Sequence, residues 1–195
     1  MAELTGIAFN GTDNYAVVPV SLENCAEWSA EFLISSTEDK GNSRIYRQPC
    51  ILGLDSSGAV SGDFHVDIKY GRLHLFSGLG GKNTEEQLNY GTLSVDNNHY
   101  AWDTNIRINI VLSDFKLSLF LDANYLGYLN TSINVLSSNL YIGASYPSEK
   151  VFCQFNLFDF SLCVDGEMQA RYLPSVEHRS FLKDYSENEH NAIIN

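Results

Sequence analysis

The chain has 195 residues, a length that suits one domain, and its hydrophobic content of 44% with 12% aromatics is enough for a real core. Its formal net charge of −12 argues against nucleic acid and against an anionic membrane surface, both of which need a surplus of Lys and Arg. A neutral ligand, a cation such as calcium or a basic partner is compatible with this charge, and so is solubility alone.

Four segments alternate apolar and polar residues with a period of two, which is the pattern of half-buried strands. They cover residues 28–34, 64–70, 106–112 and 115–121. The side chains predicted to face a core are Trp28, Ala30, Phe32, Ile34, Phe64, Val66, Ile68, Tyr70, Ile106, Ile108, Ile110, Leu112, Phe115, Leu117, Leu119 and Leu121. The opposite face of the second segment carries His65, Asp67 and Lys69.

Turn residues separate these segments. The turns are predicted at residues 10–14, at Gly71, at residues 122–124 and at Asp165-Gly166, where the last pair favours a type I′ turn. The best helical candidate is one short turn within residues 175–183. About a dozen strand candidates with regular turns therefore predict an all-β fold, a sandwich of two antiparallel sheets.

We divide the chain into a β-sandwich domain of residues 1–174 and a C-terminal extension of residues 175–195, which packs on the domain or trails from it. The end at Ile193 and Ile194 fits either a last edge strand or a frayed terminus. No stretch approaches the ~18 consecutive apolar residues of a membrane span. The first ten residues have no basic region and no long apolar run, so we expect no secretory signal in the chain as given.

The four cysteines are Cys25, Cys50, Cys153 and Cys163. None forms a Cys-x-x-Cys pair, and their spacings suit no zinc site. Cys50 and Cys163 lie inside apolar strand patterns, where buried free thiols are common. A disulfide framework is normally denser in a small secreted domain. We therefore predict reduced cysteines in the core.

The order of the segments resembles that of concanavalin A-like, laminin-G-like and pentraxin-like jelly-roll domains. The segments that carry the resemblance are Gly-Ile-Ala-Phe-Asn-Gly-Thr-Asp-Asn-Tyr-Ala-Val-Val at 6–18, the strand at 28–34, Ser-Gly-Asp-Phe-His-Val at 61–66 with Gly-Arg-Leu at 71–73, Leu-Phe-Leu-Asp-Ala-Asn-Tyr-Leu at 119–126, Leu-Tyr-Ile-Gly at 140–143 and the strand at 155–164. Together they cover residues 3–164. The ending, Ala-Arg-Tyr-Leu-Pro at 170–174 and Leu-Lys-Asp-Tyr at 182–185, resembles such domains in bacteriophage tail proteins and bacterial surface proteins.

The resemblance implies a calcium site. Laminin-G-like domains use an Asp at the start of the central hairpin, a nearby backbone carbonyl and an Asn before the Ile-Gly strand. Asp63, Leu79 and Asn134 match these positions in this chain. Calcium takes carboxylate, amide and backbone oxygens, so the three residues would suit it chemically. The alternative is that Asp63 is a solvated surface carboxylate.

Motifs for catalysis are missing. The sequence contains no Gly-x-Ser-x-Gly, no His-Glu-x-x-His and no phosphate-binding loop. The Glu-x-Asp-x-x-Glu pattern of glucanases is also absent, and Asp63 with Asp67 is the nearest approach to a carboxylate pair on one strand face. We therefore predict a protein that is not an enzyme, with a diverged glycoside hydrolase as the remote alternative.

Sugar binding needs an aromatic surface with polar groups beside it. The candidate ligand-binding residues are His65, Asp67, His74, Tyr100, Trp102 and Tyr146. His65 and His74 are placed to face each other across the Gly71 hairpin, as a polar pair or as metal ligands. Trp102 also fits a buried Trp that precedes the strand at 106–112.

These observations favour a carbohydrate- or cell-surface-binding module of a phage tail or a bacterial surface assembly, with calcium as the one cofactor considered. The expected partner is a glycan or a cell-surface polysaccharide, and the expected location is the virion or the cell surface. Protein partners in a larger assembly and a homo-oligomer are compatible with this hypothesis, whereas nucleic acid and membrane insertion are not. The second hypothesis is a structural or protein-interaction domain that binds no sugar.

Overall fold

Strands form where the sequence alternates with a period of two. The computed structural model describes residues 6–35, 50–54, 63–69, 72–78, 90–95, 104–131, 140–144, 152–174 and 181–195. These residues form fifteen strands and no helix. In chain order the strands are β1 (Ile7–Asn10), β2 (Ala16–Val18), β3 (Trp28–Ser35), β4 (Cys50–Leu54), β5 (Phe64–Lys69), β6 (Arg72–Gly78), β7 (Tyr90–Val95), β8 (Ile106–Ser113), β9 (Lys116–Leu121), β10 (Asn124–Asn130), β11 (Leu140–Ile142), β12 (Gln154–Val164), β13 (Glu167–Tyr172), β14 (Phe181–Leu182) and β15 (Ala192–Ile194).

The strands build two antiparallel sheets. The first sheet has the order β1-β12-β3-β8-β9-β10, and β13 pairs with the edge of β12 that faces away from β3. The second sheet has the order β14-β15-β2-β11-β4-β5-β6-β7. The predicted fold class is therefore confirmed, and the fold is the concanavalin A-like jelly roll. The predicted hairpin of β5 and β6 is present, with Lys69 opposite Arg72.

The core fills the space between the two sheets. Every second residue of β3 and β8 is buried, as the alternation predicts. Trp28 of the first sheet packs against Phe64 of the second, with ring centroids 4.7 Å apart. Phe9 stacks on Phe155 at the same distance and with nearly parallel rings. The contact of Trp28 with Phe64 joins the two sheets, whereas Phe9 and Phe155 are paired neighbours within the first sheet.

Three hairpins of the first sheet have tight turns with two consecutive positive φ angles. The pairs are Asp114-Phe115, Asp122-Ala123 and Asp165-Gly166. Two positive φ values define a type I′ turn, whose twist matches that of the flanking strands. The prediction that Phe115 faces the core is wrong, because Phe115 lies in the first of these turns and is 58% exposed. The turn at Gly71 lies outside the described residues.

The C-terminal residues belong to the second sheet. β15 pairs with β2, so that Ile193 lies opposite Val17, and β14 pairs with the other side of β15. Backbone hydrogen bonds join Tyr15 and Asn195 in both directions. Phe181–Leu182 is a strand, whereas most of the helical turn expected within residues 175–183 lies outside the described residues.

All four cysteines have free thiols, and three of them are buried. Because the described residues contain no helix, none of their segments is a helix that could cross a membrane.

Candidate functional site

The outer face of the second sheet holds two of the candidate ligand-binding residues, and both are buried. His65 and Asp67 are each 1% exposed, although they point away from the core that lies between the sheets. The ring of His65 stacks on Phe76 at 4.5 Å with an interplanar angle of 5°. His65 lies opposite Phe76 in the hairpin, and Asp67 lies opposite His74. The expected pairing of His65 with His74 is therefore wrong, because the hairpin register differs by two residues.

His65 and Asp67 contact each other within this buried layer. The Nε2 atom of His65 lies 2.9 Å from Oδ2 of Asp67. The contact lies off the direction of a ring N–H, and within the described part of the chain neither ring nitrogen makes a directed hydrogen bond. Oδ1 of Asp67 also has no partner there. Since both side chains are inaccessible, a ligand could reach them only after the structure around them moved.

The structure describes only one of the remaining candidate side chains, that of Asp63. Tyr100, Trp102, Tyr146, Leu79 and Asn134 lie outside the described residues, as does the side chain of His74. Asp63 is fully buried at the start of β5. Among the described residues, no group of three His, Cys, Asp or Glu side chains could hold a metal ion.

Asp63 and Asp67 are too far apart for a glycosidase pair. Four residues of extended strand span about 13 Å between α carbons, since each residue rises about 3.3 Å. A retaining pair needs about 5–5.5 Å between carboxyl groups and an inverting pair about 6.5–9.5 Å. The spacing therefore gives no support to hydrolysis by these two residues.

The outer face of the first sheet is accessible and carries a continuous line of polar and aromatic side chains. Cross-strand pairing aligns one residue from each of six strands. We call this line the polar row, and its members are Arg171, Ser161, Glu31, Asn109, Phe120 and Tyr125. All six are half-buried or exposed. Five strand spacings of about 4.8 Å make the row about 24 Å long.

A second line lies beside the polar row. It is offset by two residues on β12, β3, β8 and β9, and by three residues on β10 and β13, where the pairing has a bulge. We call it the second row, and its members are Met168, Cys163, Ser29, Val111, Ser118 and Tyr128. The end residues Met168 and Tyr128 are exposed, and the four between them are half-buried. The two rows are about 7 Å apart along the strands.

Aromatic side chains cluster where the rows end on β10. Tyr125 is 56% exposed and Tyr128 is 46% exposed. The ring of Tyr125 lies 5.4 Å from that of Phe120, at 58°. The Nζ atom of Lys116 sits 5.2 Å from the centre of the Tyr128 ring. Exposed aromatic faces of this kind can contact the apolar face of a flat ligand.

The charges beside the polar row are largely paired. The guanidinium of Arg107 contacts the carboxylate of Glu31. Nε of Arg171 lies 3.8 Å from Oδ1 of Asp159, and this cation remains half exposed. The face therefore has no strong charge of one sign, although the whole chain carries −12. Such a surface suits a neutral, hydroxyl-rich ligand better than a strongly charged one.

The sequence alone predicts which of these side chains face outward. Asn109 and Phe120 occupy the polar positions of their alternating segments, and Glu31 does so in β3. Alternation alone places these residues on an outward face. It does not show that they come together, because the pairing of β3 with β8 joins residues such as Glu31 and Asn109 that are far apart in the chain.

The class that the fold defines is the jelly-roll sandwich shared by laminin-G-like and pentraxin-like domains. No protein-family model matches the sequence, and no curated protein matches it. Among solved structures, tailspike protein 2 of an Escherichia coli O157:H7 bacteriophage is similar, with a TM-score of 0.57, 11% identity and 82% of this chain covered. Domains LG4-5 of the mouse laminin alpha1 chain have a TM-score of 0.56 and 12% identity, with 83% of this chain covered. A pentraxin from Limulus polyphemus has a TM-score of 0.54 and 11% identity, again with 83% of this chain covered. The match spans 22%, 42% and 77% of these three chains, respectively, and shows the fold alone.

Proposed function

We propose that this chain is a non-catalytic binding module that holds a glycan along the polar row on the outer face of its first sheet. The observation that carries this proposal is the alignment of planar polar side chains with an exposed aromatic cluster in one accessible line. Ser161 and Glu31 offer donors and acceptors for hydroxyl groups, whereas Oδ1 of Asn109 is buried. Tyr125 offers a ring face for the apolar side of a pyranose.

The length of the row suggests the form of the ligand. A line of about 24 Å is longer than one sugar ring, so it suits an oligosaccharide or a polysaccharide segment rather than a monosaccharide. Binding needs no covalent step. A domain that binds surface glycans in this way would act on a virion or at a cell surface, and the similarity to a tailspike fold is compatible with the former.

The test is a glycan and cell-wall polysaccharide binding screen with purified protein, followed by variants. We expect Tyr128→Ala and Tyr125→Ala each to weaken binding about tenfold, because an aromatic contact contributes about 1 kcal/mol beyond its buried area. Ile193→Ala is the control, since Ile193 is 62% exposed on the second sheet. The proposal would be rejected if folded protein bound no glycan, or if the control lost as much affinity as the tyrosine variants.

A second candidate function is protein interaction through β10. Among the described strands, β10 pairs only with β9, and it carries the exposed Tyr125 and Tyr128 without a charged residue. An uncharged edge strand is a site where another chain can add a strand. Light scattering of the purified protein distinguishes this function: a stable oligomer that Tyr128→Lys converts to a monomer would support it.

We also propose calcium as a ligand at Asp63, with the backbone carbonyl of Leu79 and the side chain of Asn134. The oxygen donors of these three residues support this, since calcium takes carboxylate, amide and backbone oxygens. Calcium at 100 times its dissociation constant should stabilise the fold by about 2.7 kcal/mol, which thermal unfolding would detect. Asp63→Asn should remove this response, and an equal shift with magnesium would speak against a calcium site.

A further inference from the structure

A small depression opens in the outer face of the first sheet, within the second row. Its volume is about 120 Å³. It is lined by Glu27, Trp28, Ser29, Val111, Cys163 and Gly166. Ser29, Val111 and Cys163 are three consecutive members of the second row. The depression therefore adjoins the surface that we propose for glycan binding.

The size of the depression limits what it can hold. A cavity of about 150 Å³ can bind benzene, which has six carbon atoms, so the depression has room for roughly five non-hydrogen atoms. A whole sugar ring is too large. A short substituent on the ring fits, and an acetamido group has four non-hydrogen atoms.

The lining also matches the chemistry of an acetamido group. Val111 and Cys163 provide apolar contacts for a methyl group. The hydroxyl of Ser29 can donate to a carbonyl oxygen, and the carboxylate of Glu27 can accept from an N–H. Within the described part of the chain, neither of these two side chains makes a hydrogen bond, so both are available to a ligand.

The position suits a substituent of a sugar bound on the polar row. Ser29 lies two residues before Glu31 on β3, and Val111 lies two residues after Asn109 on β8. A side group that leaves the ring toward the second row has about 7 Å to cover. An acetamido group spans about 3.8 Å from ring carbon C2 to its methyl carbon, which is the distance across a trans amide and about half of the separation. The ring would therefore lie between the polar row and the second row.

We propose that the depression beside Cys163 receives the acetamido group of an N-acetylhexosamine within the bound glycan. This inference rests on the proposed glycan-binding function and adds the class of sugar that the site selects. One extra carbon group in contact with apolar side chains gives about 10- to 200-fold discrimination, and the methyl group against Val111 and Cys163 would make such a contact.

The test uses an array of neutral oligosaccharides that contains matched pairs, in which the members differ only by a hydroxyl or an acetamido group at C2. Glucose against N-acetylglucosamine and galactose against N-acetylgalactosamine are such pairs, and all members are uncharged. We expect the acetamido member of each bound pair to bind at least tenfold more tightly.

Val111→Phe should fill the depression and remove this preference. Val17→Phe is the matched control, because Val17 is also half-buried but lies on the second sheet. Thermal unfolding of both variants shows whether they fold. The preference for acetamido should persist in Val17→Phe and disappear in Val111→Phe.

Cys163 provides a direct readout of occupancy. It is the partly exposed thiol of the four, and the other three are buried. Burial, helped by the charge of Asp165, also raises the pKa of Cys25, so that thiol reacts slowly. Iodoacetamide should therefore label Cys163 first, and a bound acetamido sugar should slow that labelling while its hydroxyl counterpart should not.

The outcomes separate this inference from the proposed function. If glycans bind along the row without preference for acetamido and leave Cys163 labelling unchanged, the inference is overturned and the glycan-binding function stands. If no glycan on the array binds to folded protein, both are overturned.

Discussion

Asp184 organises the C-terminal segment through its carboxylate. The two carboxylate oxygens accept hydrogen bonds from the backbone N–H groups of Arg171, Ser186 and His190 and from the hydroxyl of Ser186. Nearby, the hydroxyl of Tyr172 donates to the carbonyl of His190 at 2.7 Å. Burial and the charge of Asp184 raise the pKa of Tyr172, so its phenol stays protonated. These bonds fix residues 184–191 against β13.

The pKa of Asp184 predicts a dependence of stability on pH. Burial acts to raise this pKa, but the hydrogen bonds from Ser186, Arg171 and His190 outweigh it, and the pKa lies below the ordinary value of 3.8. The carboxylate therefore stabilises the fold fully above pH 3.8, and this contribution is lost as the pH falls through the lowered pKa. We expect Asp184→Asn to cost about 2 kcal/mol at neutral pH, measured by urea unfolding.

The same substitution should also flatten the acid limb of the stability profile. The control is Asp13→Asn, because Asp13 is exposed in the first turn. An acid limb as steep in Asp184→Asn as in the wild type would contradict this account of the Asp184 carboxylate.

Residues other than glycine that have a positive φ in the type I′ turns carry backbone strain. Ala123 has a φ of 66°, which costs an L-residue about 1–2 kcal/mol relative to the right-handed region. Ala123→Gly should relieve this strain but adds freedom to the unfolded chain, so we expect a net stabilisation of about 0.5 kcal/mol. Thermal unfolding measures it.

The turn between β12 and β13 allows the opposite substitution, from glycine to alanine. Gly166 has a φ of 81°, and a Cβ added there would meet nothing within 4 Å. Gly166→Ala should therefore be destabilising by about 1 kcal/mol through its backbone alone. Equal effects of the same sign in the two variants would show that the turn type does not control their stability.

The charge of the whole molecule acts against its fold. A net charge of −12 on a single sandwich causes self-repulsion, which salt screens over a Debye length of about 10 Å at 0.1 M. We expect the midpoint of thermal unfolding to rise by a few degrees between 0.05 and 0.5 M sodium chloride, as a rough guide. A fall would mean that ion pairs such as Glu31 with Arg107 outweigh the repulsion.

Salt should have little effect on binding of a neutral glycan to the polar row. The charges beside the row are paired, and the ligand proposed for it carries none. Titrations of the acetamido oligosaccharides at both salt concentrations would check this, and a steep loss of affinity with salt would indicate an anionic ligand or partner instead.

The sequence by itself determined the fold class, the main alternating strands and the turns at residues 122–124 and Asp165-Gly166. Alternation with a period of two fixes which side chains of β3 and β8 enter the core, because the pleat sends neighbours to opposite faces. Asp165-Gly166 fixes a turn through local backbone preference. Phe115 was misplaced because two positive φ angles in the Asp114-Phe115 turn interrupt an alternation that the sequence continues.

Only the tertiary structure decided which outward-facing side chains are accessible. Alternation shows that the side chains of His65 and Asp67 point away from the core between the sheets. It cannot show that other parts of the molecule bury them. It likewise places Glu31, Asn109 and Phe120 outward without bringing them together. Their alignment depends on the register between strands that are distant in the chain, and register is set by packing across the whole sandwich rather than by neighbouring residues.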